Sequence, residues 1–336
     1  MASTSLHRTA RRTLLHVACL LTVFGVALVT TTPAVAQPDM SKVTLIFAQA
    51  SPNGPKPRLE ASGQMKDLPY KIEWVDIPDV IQAFRGNSID IAYGSDTGAI
   101  FSLAGNQQPN FSIVMALPMT ETYPLDGAVV VGRESGVKSL TDLKGRKVAV
   151  SPGTGAQFML AQWLEKSGLQ YSDIQPVNLS SADALAALDS GQVDAWAAYE
   201  PFISVAVVKH GSREISGNVR VNGSISMIYV RKDVLNDPAK TAAVADLLVR
   251  IRNAQDWMRQ NTAAWAKVLA RVVNLPMDVA ESAAPRAIRD VVRVDATLIK
   301  KSQAQADLFA RLNVLPRPVD VSLLFDDRFN GVVAGH

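Results

Sequence analysis

Three short loops of small and polar residues stand where an apolar strand pattern changes to a helical pattern. They are QASPNG (49–54), GSDTG (94–98) and SPGTGAQ (151–157). At such a junction the first N–H groups of the helix lack partners within the helix, and small residues let an anion approach the backbone. Each loop is therefore predicted to bind an anion. The same residue types also cap helices, so for GSDTG capping and ligand contact are both open.

Uncharged side chains are predicted to supply further hydrogen-bond donors to the anion bound at these loops. One helix N-terminus contributes about 0.3–1 kcal/mol, or ~2 kcal/mol when partly buried, whereas micromolar binding needs roughly 8 kcal/mol. Side-chain donors and exclusion of water must supply the remainder. Lys56 and Arg58 lie nearby, but no loop tip carries a Lys or Arg, which favours a monoanion with delocalised charge over a phosphate dianion. The predicted donors are Gln49, Ser51, Ser95, Thr97, Thr154 and Gln157.

The segment DAWAAYEP (194–201) and residue Asp126 carry further side chains for the same ligand. Trp196 and Tyr199 could line a cleft, and Glu200 could accept a hydrogen bond from a ligand amine. The alternatives are a core position for Trp196 and a capping or interlobe role for Glu200. Asp126 is a similar candidate for an amine.

Covalent and metal-assisted catalysis are not predicted. The only cysteine lies within the first 36 residues, and beyond them the two histidines are His210 and His336, so acid–base work would fall to carboxylates or lysines. The sequence contains no H-E-x-x-H, G-x-S-x-G, P-loop or dinucleotide fingerprint. His210 is interpreted as a solvated residue. We therefore expect no catalytic residue, no metal ligand and no cofactor.

The first 36 residues have the pattern of an export signal. Three arginines precede an apolar stretch over 14–29, and the small residues that end at Ala36 fit a cleavage site. The Arg11–Arg12 pair is compatible with twin-arginine export, so this route and the Sec route both remain open. An uncleaved anchor is the alternative to cleavage. The prediction is a periplasmic protein with its signal removed near Ala36.

Charge and length restrict the partners and the number of domains. Without the three signal arginines, 31 Lys and Arg balance 31 Asp and Glu. A nucleic-acid partner is therefore not predicted. The 300 residues after the signal suit two domains of ordinary size.

The sequence contains an internal repeat. DVIQAFRGNSIDIAYGSDT (79–97) corresponds to DALAALDSGQVDAWAAYEP (183–201) at an offset of 104 positions, with Asp90 aligned on Asp194. Each copy predicts a helix, a tight turn and a strand. The alternative is chance similarity of two amphipathic units. The strands before the loops QASPNG and SPGTGAQ correspond at about the same offset, which favours duplication into two similar α/β lobes.

The two lobes must position the loops. Strands that alternate with helices predict mostly parallel sheets covered on both faces. The polar segments 117–127 and 216–224 are predicted to cross between lobe one, 37–120 with 224–336, and lobe two, 121–223. Such lobes close on a ligand by a hinge, and ligands of open α/β sheets bind outside the carboxyl ends of the strands.

Local signals predict individual elements. Ser139 as N-cap and Gly145 at the C′ position bound a short helix. Everything after Pro238 has a helical pattern, including a long stretch near 240–260, and is expected to pack on lobe one.

The segment SLTDLKGRKVAVSPGTGAQFMLAQWLEKSGLQYSDIQPVNLSSADALAALDSGQVDAWAAYEPF (139–202) resembles the periplasmic solute-binding proteins of ABC importers for aliphatic sulfonates, taurine and nitrate. The resemblance extends over nearly the whole mature chain in its order of elements. It implies a type II periplasmic binding protein fold, two α/β lobes joined by two crossings. It also implies a small-molecule anion as ligand and the membrane permease of an ABC importer as partner. A monomer is expected.

In this family the ligand contacts would fall in the three loops and in WAAYEP. Together with Asp126, they give the candidate set Gln49, Ser51, Ser95, Asp96, Thr97, Asp126, Gly153, Thr154, Gly155, Ala156, Gln157, Trp196 and Glu200. The sequence leaves open which anion binds.

Three functional hypotheses follow. The first is a binding protein that captures an aliphatic sulfonate or taurine-like compound by hinge closure without chemistry. The second is an exported enzyme of the same fold that acts on a sulfonate or related compound in the same cleft. The third is a sensory ligand-binding module, which would need a separate signalling partner.

Overall fold

A computed structural model describes residues 38–49, 53–77, 79–105 and 108–333. The predicted export signal and Ser51 lie outside these residues. The strands are β1 Thr44–Gln49, β2 Lys71–Asp76, β3 Ile91–Ser95, β4 Phe111–Leu117, β5 Gly127–Val131, β6 Lys147–Val150, β7 Gln175–Asn178, β8 Ala195–Tyr199, β9 Arg213–Glu214 and β10 Ser226–Arg231. The helices are α1 Pro55–Ala61, α2 Val80–Arg85, α3 Asp96–Ala104, α4 Gly155–Lys166, α5 Ser181–Asp189, α6 Phe202–His210, α7 Pro238–Gln260, α8 Thr262–Val272, α9 Met277–Ala283, α10 Ala296–Arg311 and α11 Asn330–Val333.

The strands form two separate five-stranded sheets. The first has the order β2-β1-β3-β10-β4 and the second the order β7-β6-β8-β5-β9. In the first sheet β1 pairs in parallel with β2 and β3, whereas β10 runs antiparallel to β3 and β4. In the second sheet β6 pairs in parallel with β7 and β8, whereas β5 runs antiparallel to β8. Strand β5 also runs antiparallel to β9. Each sheet therefore contains four strands that point the same way and one antiparallel strand, β10 or β5, that comes from the other half.

The two sheets are built alike because the repeat predicted from the sequence is present in the fold. Asp90, just before β3, accepts a hydrogen bond from the backbone N–H of Ile46 at 2.9 Å. Asp194, just before β8, accepts one from the backbone N–H of Lys147 at 2.9 Å. In both copies the aspartate thus ties its strand to the neighbouring parallel strand.

The turns of the repeat also match. Asn87 has φ 52° and Gly191 has φ 71°, and both end the turn between helix and strand. These positions correspond at the offset of 104. Glycine and asparagine tolerate the left-handed conformation that such a turn needs. The predicted helix, tight turn and strand of each copy are confirmed.

Helices cover both faces of the first sheet. All seven residues of β4 are buried, as expected for a strand between two helical layers. One apolar cluster includes Phe84, Phe111 and Phe309, and another includes Leu247 and Ile251 of α7. Burial of these side chains is the dominant favourable term in folding.

Caps set the limits of the helices. Asp237 accepts hydrogen bonds from the N–H groups of Ala239 and Lys240, and Pro238 occupies the first turn of α7, where its missing N–H costs nothing. Ser139 is the N-cap residue of a short 3₁₀ helix, its backbone N–H donates to Asp142 Oδ2 at 2.9 Å, and Gly145 follows with φ 74°. The predicted boundaries of this short helix are confirmed.

The C-terminal helices contact both sheets. Helix α7 packs on the first sheet, as predicted from the sequence. Helix α9 instead contacts α6 beside the second sheet, where the Ser204 hydroxyl lies 3.1 Å from that of Ser282 and Lys209 pairs with Asp278. The expectation that the whole region packs on lobe one is therefore wrong for α9. The exact lobe limits stay a prediction.

Candidate functional site

The starts of α3 and α4, one from each half of the repeat, lie close together. A Cβ atom at Gly155, the first residue of α4, would lie 2.6 Å from Cβ of Ser224 in the second crossing. Gly153 has φ 68°, and a Cβ there would lie 3.2 Å from the Phe101 ring in α3. Ala156 beside them is buried. The predicted loops GSDTG and SPGTGAQ thus meet at the carboxyl ends of β3 and β6.

Hydrogen bonds fix the loop before α4. The hydroxyl of Thr154, the N-cap, donates to the carbonyl of Ser151 at 2.7 Å and accepts from the N–H of Gln157 at 3.5 Å. The Gln157 amide oxygen accepts from the N–H of Gly153 at 2.7 Å, and its nitrogen donates to the Tyr171 hydroxyl at 3.1 Å. The other N–H groups of the first turn have no carbonyl partner within the helix. This helix start can therefore accept an anion.

The start of α3 carries its own carboxylate. Asp96 is buried and accepts hydrogen bonds from the N–H of Thr97 at 2.8 Å and from the Ser224 hydroxyl at 2.7 Å. The amide of Gln305, oriented so that its nitrogen faces this carboxylate, donates to Asp96 Oδ2 at 2.8 Å and accepts from Thr97 Oγ1 at 2.6 Å. The side chain of Ser95, the N-cap residue, makes no capping hydrogen bond. In this structure capping is therefore carried out by Asp96 and its partners.

The protonation of Asp96 decides the charge at this helix start. Burial raises its pKa to about 7, although hydrogen bonds from Ser224, Ile225 and Thr97 act in the opposite direction. The nearby carboxylate of Asp126 raises the pKa further. An anion beside α3 would meet a neutral group below this pH and a negative charge above it.

Two other predicted contacts point into the protein. Gln49 is 2% exposed, and its amide donates to Asp76 Oδ1 at 3.0 Å. Trp196 is 1% exposed, and its ring centroid lies 6.2 Å from that of Phe202 in the core of the second sheet. Trp196 thus occupies the core position that the sequence left as an alternative. Contact of either side chain with a ligand stays a prediction and would need local rearrangement.

Asp126 and Glu200 pair with arginines of the C-terminal region. Asp126 Oδ2 lies 2.9 Å from Arg289 Nη2, and Glu200 Oε1 lies 3.3 Å from Arg286 Nη1. Arg286 also reaches Glu214 at 2.9 Å. Burial raises the pKa of Glu200, and the charge of Arg286 opposes this shift. A ligand amine would have to compete with these guanidinium groups. Glu200 also accepts a hydrogen bond from the Ser204 N–H in the first turn of α6 at 3.3 Å, which is the capping contact that the sequence left open.

A buried cation lies beside this group of residues. Arg58, in α1, is 3% exposed, and its Nη2 donates to the carbonyl of Asn53 at 2.8 Å. Its guanidinium carbon lies 5.6 Å from the ring centroid of Tyr93 and 5.8 Å from that of Trp265. The sequence placed Arg58 near the first loop but gave it no role. The signal in the sequence that pointed to Arg58 was its position as a basic residue shortly after the end of a predicted strand.

Other features restrict the chemistry of the described residues. None of them forms a group of three or more His, Cys, Asp and Glu side chains suited to a metal. A cavity of about 650 Å³ lies between the two crossings, and Lys166, Arg220 and Lys301 contribute to its wall. No helix in the described part of the chain is long and apolar enough to cross a membrane.

The sequence matches a known family over a segment that includes parts of both sheets. Residues 77–274, more than half of the chain, match the model of the NMT1-like family. This chain belongs to the NMT1-like family. The matched segment includes both crossings and the loops GSDTG and SPGTGAQ.

Similar proteins are named as sulfonate-binding proteins. A putative aliphatic sulfonates-binding protein of Escherichia coli K12 is 28% identical over 78% of this chain and 82% of its own length. The crystal structure of the periplasmic aliphatic sulphonate binding protein SsuA from Escherichia coli aligns with a TM-score of 0.73 at 28% identity, over 86% of this chain and 92% of that one. The alkanesulfonate-binding protein SsuA from Xanthomonas axonopodis pv. citri, bound to MOPS, aligns with a TM-score of 0.70 at 28% identity, over 87% and 99%.

These likenesses confirm the predicted fold class and the resemblance recognised in the sequence. The NMT1-like chain has the two mixed α/β sheets and two crossings of a type II periplasmic binding protein. The three similar proteins described above are named for binding.

Proposed function

We propose that this NMT1-like protein is an extracytoplasmic solute-binding protein that captures an aliphatic sulfonate or a taurine-like compound for an ABC importer. One observation carries the proposal: the likeness to sulfonate-binding proteins extends over nearly the whole length of both chains. The ligand would lie between the carboxyl ends of the two sheets and be enclosed by hinge closure, without chemical change.

The geometry of α4 supports this position. The cap at Thr154 and the two glycines beside it leave a helix start without bulky side chains, next to α3 and the second crossing. A sulfonate has three oxygens that share one charge, so neutral N–H and hydroxyl donors can satisfy several of them at once. The residues proposed to contact the ligand are those of the SPGTGAQ loop, Gly153, Thr154, Gly155, Ala156 and Gln157.

The remaining parts of the proposal concern partners and location. The protein would be a periplasmic monomer, exported by its first 36 residues, and would deliver its ligand to a membrane permease. Lobe one would comprise 37–120 and 224–336, and lobe two 121–223. The two crossings would form the hinge.

A ligand screen tests the proposed function. The melting temperature of the mature chain is measured with taurine, ethanesulfonate, hexanesulfonate, benzenesulfonate, nitrate and bicarbonate. Each ligand that raises it is then titrated calorimetrically, and the bound ligand is recovered and checked for chemical change. We expect one sulfonate per chain, recovered unchanged, with stabilisation of about 2.7 kcal/mol at a hundredfold excess over Kd. Failure of every sulfonate to bind, or turnover of a bound sulfonate, would overturn the proposal, and turnover would favour an exported enzyme.

A further inference from the structure

Arg58 is a buried cation with unmatched hydrogen-bond donors. Its side chain is 3% exposed, its Nη2 donates to the carbonyl of Asn53 at 2.8 Å, and the Tyr93 side chain is a further hydrogen-bonding neighbour. Nε and Nη1 are buried and have no well-aligned acceptor among the described residues. These two nitrogens carry three N–H groups. Buried polar groups are normally satisfied, so three unmatched donors on one buried guanidinium need an explanation.

No carboxylate among the described residues pairs with Arg58. Asp126 is already paired with Arg289 at 2.9 Å. Burial lowers the pKa of Arg58, the Tyr93 side chain opposes this shift, and the charge of Arg289 lowers the pKa further. An unpaired buried charge is costly unless something compensates it.

The position of Arg58 suits a ligand of the cleft. It follows β1 on α1 and lies against Tyr93, two residues before the end of β3. The Tyr93 hydroxyl donates to the Ser226 hydroxyl at 2.9 Å, at the first residue of β10. These strand ends form the edge at which ligands of open α/β sheets bind. Beside Arg58 is a small cavity of about 10 Å³, lined mainly by apolar side chains, which has room for one water-sized group.

We propose that Arg58 is the positive group that neutralises the charge of the bound sulfonate, with its unmatched N–H groups donating to one sulfonate oxygen in this cavity. This inference rests on the proposed function and deepens it. A single buried guanidinium matches the charge of a monoanionic head group better than that of a dianion such as phosphate. The inference also replaces the prediction from sequence that uncharged donors alone hold the anion, because Arg58 adds a charged donor from the first sheet.

A purely structural role for Arg58 makes a different prediction. In that case its contacts with Tyr93, Trp265 and the Asn53 carbonyl would only hold α1 in place. Substitution would then affect folding but not the preference for charged ligands. The preference for an anion over a neutral analogue separates the two roles, because it depends on the charge and not on the stability of α1.

The experiment compares 1-butanesulfonate with the neutral 1-butanesulfonamide. Their Kd values are measured by titration for the wild-type mature chain and for Arg58→Gln. We expect the wild type to prefer the sulfonate at least 100-fold, and this preference to fall at least tenfold in Arg58→Gln. A smaller fall overturns the inference and leaves the proposed function standing. Absence of sulfonate binding by the wild type overturns the proposed function and, with it, this inference.

Two further variants complete the test. Arg250→Gln is the matched control, because Arg250 is a partly buried arginine in a helix that packs on the first sheet. Unlike Arg58, it is paired with Asp246 at 2.6 Å and donates to the carbonyl of Gln64 at 2.8 Å. Its ligand preference should equal that of the wild type. If Arg58→Gln does not fold, Arg58→Met decides, because it removes the charge and fills the buried site with an apolar side chain. A preference reduced at least tenfold supports the inference, and a smaller change overturns it.

Discussion

At the residue scale, Thr154 offers the most direct test of the α4 start as an anion site. Aspartate caps a helix as well as threonine does, so Thr154→Asp keeps the cap and adds a negative charge beside the proposed ligand. We expect sulfonate affinity to fall at least ~100-fold, or about 2.7 kcal/mol, with little change in Tm. Calorimetric titration with ethanesulfonate and a thermal melt measure the two quantities.

Thr154→Ser is the control for this prediction. It keeps the hydroxyl that donates to the Ser151 carbonyl and adds no charge. Its affinity should remain close to that of the wild type. Wild-type affinity in Thr154→Asp would mean that the anion binds away from the start of α4.

Asp96 predicts how stability depends on pH. Its folded pKa of about 7 exceeds the value of 3.8 for an unperturbed Asp, so the unfolded chain loses this proton first as pH rises. The contribution of Asp96 to the free energy of unfolding is therefore fully favourable below about pH 4 and is lost between about pH 4 and 7. It stays constant above about pH 7. The side chain of Asp96→Asn cannot ionise, so the variant should not lose this stability. Its free energy of unfolding relative to the wild type should rise with pH by about 4 kcal/mol at most.

Urea unfolding at pH 4.5, 6 and 8 measures this difference. The gap between Asp96→Asn and the wild type should widen at each step from pH 4.5 to 8. Parallel stability curves for the two proteins would show that Asp96 is not the buried acid that the fold implies.

Single residues were predictable where the signal is local. Ser139 and Thr154 cap helices as their sequence context indicates, because a cap depends only on the next few residues. The environment of Arg58 was not predictable, because Trp265 is more than 200 positions away in the sequence. The same holds for the partner of Asp126, which is Arg289.

At the element scale, the close approach of α4 to the second crossing is open to test. Gly155→Ala would place a Cβ 2.6 Å from Cβ of Ser224, a contact that requires the helix start or the crossing to move. We expect sulfonate affinity to fall about tenfold, because displacement of a positioning element by about 1 Å is costly at a binding site. Calorimetric titration with ethanesulfonate measures the change.

Gly136→Ala is the matched control for this substitution. A Cβ at Gly136 would meet no atom within 4 Å, and this glycine does not have a positive φ. Its affinity should be unchanged. Equal affinities in the two variants would mean that the start of α4 does not need its present position to bind the sulfonate.

The elements inside the repeat could be predicted because their signals are short-range. The period of the apolar residues and the turn positions Asn87 and Gly191 define a helix, a turn and a strand in each copy. The contact of α9 with α6 could not be predicted in this way. It joins Ser204 and Ser282, which are 78 positions apart. No local pattern in the sequence predicts which of the two sheets a helix will pack against.

At the scale of the whole molecule, the two halves are linked on more than one side. Aromatic rings of Phe158 and Phe101 lie 6.0 Å and 5.7 Å from Phe309, and thus join α4 to α3 and α10. Elsewhere the ion pairs of Arg286 and Arg289 connect the C-terminal region to the second sheet. Closure around a ligand must reform or preserve these contacts, which the repeat in the sequence did not reveal.

A crystal structure of the mature chain grown with ethanesulfonate tests the central claim most directly. The account predicts one unaltered sulfonate between the carboxyl ends of the two sheets, within hydrogen-bond distance of the first turn of α4. A sulfonate lodged outside that space, or a product in which its C–S bond is broken, would contradict the account.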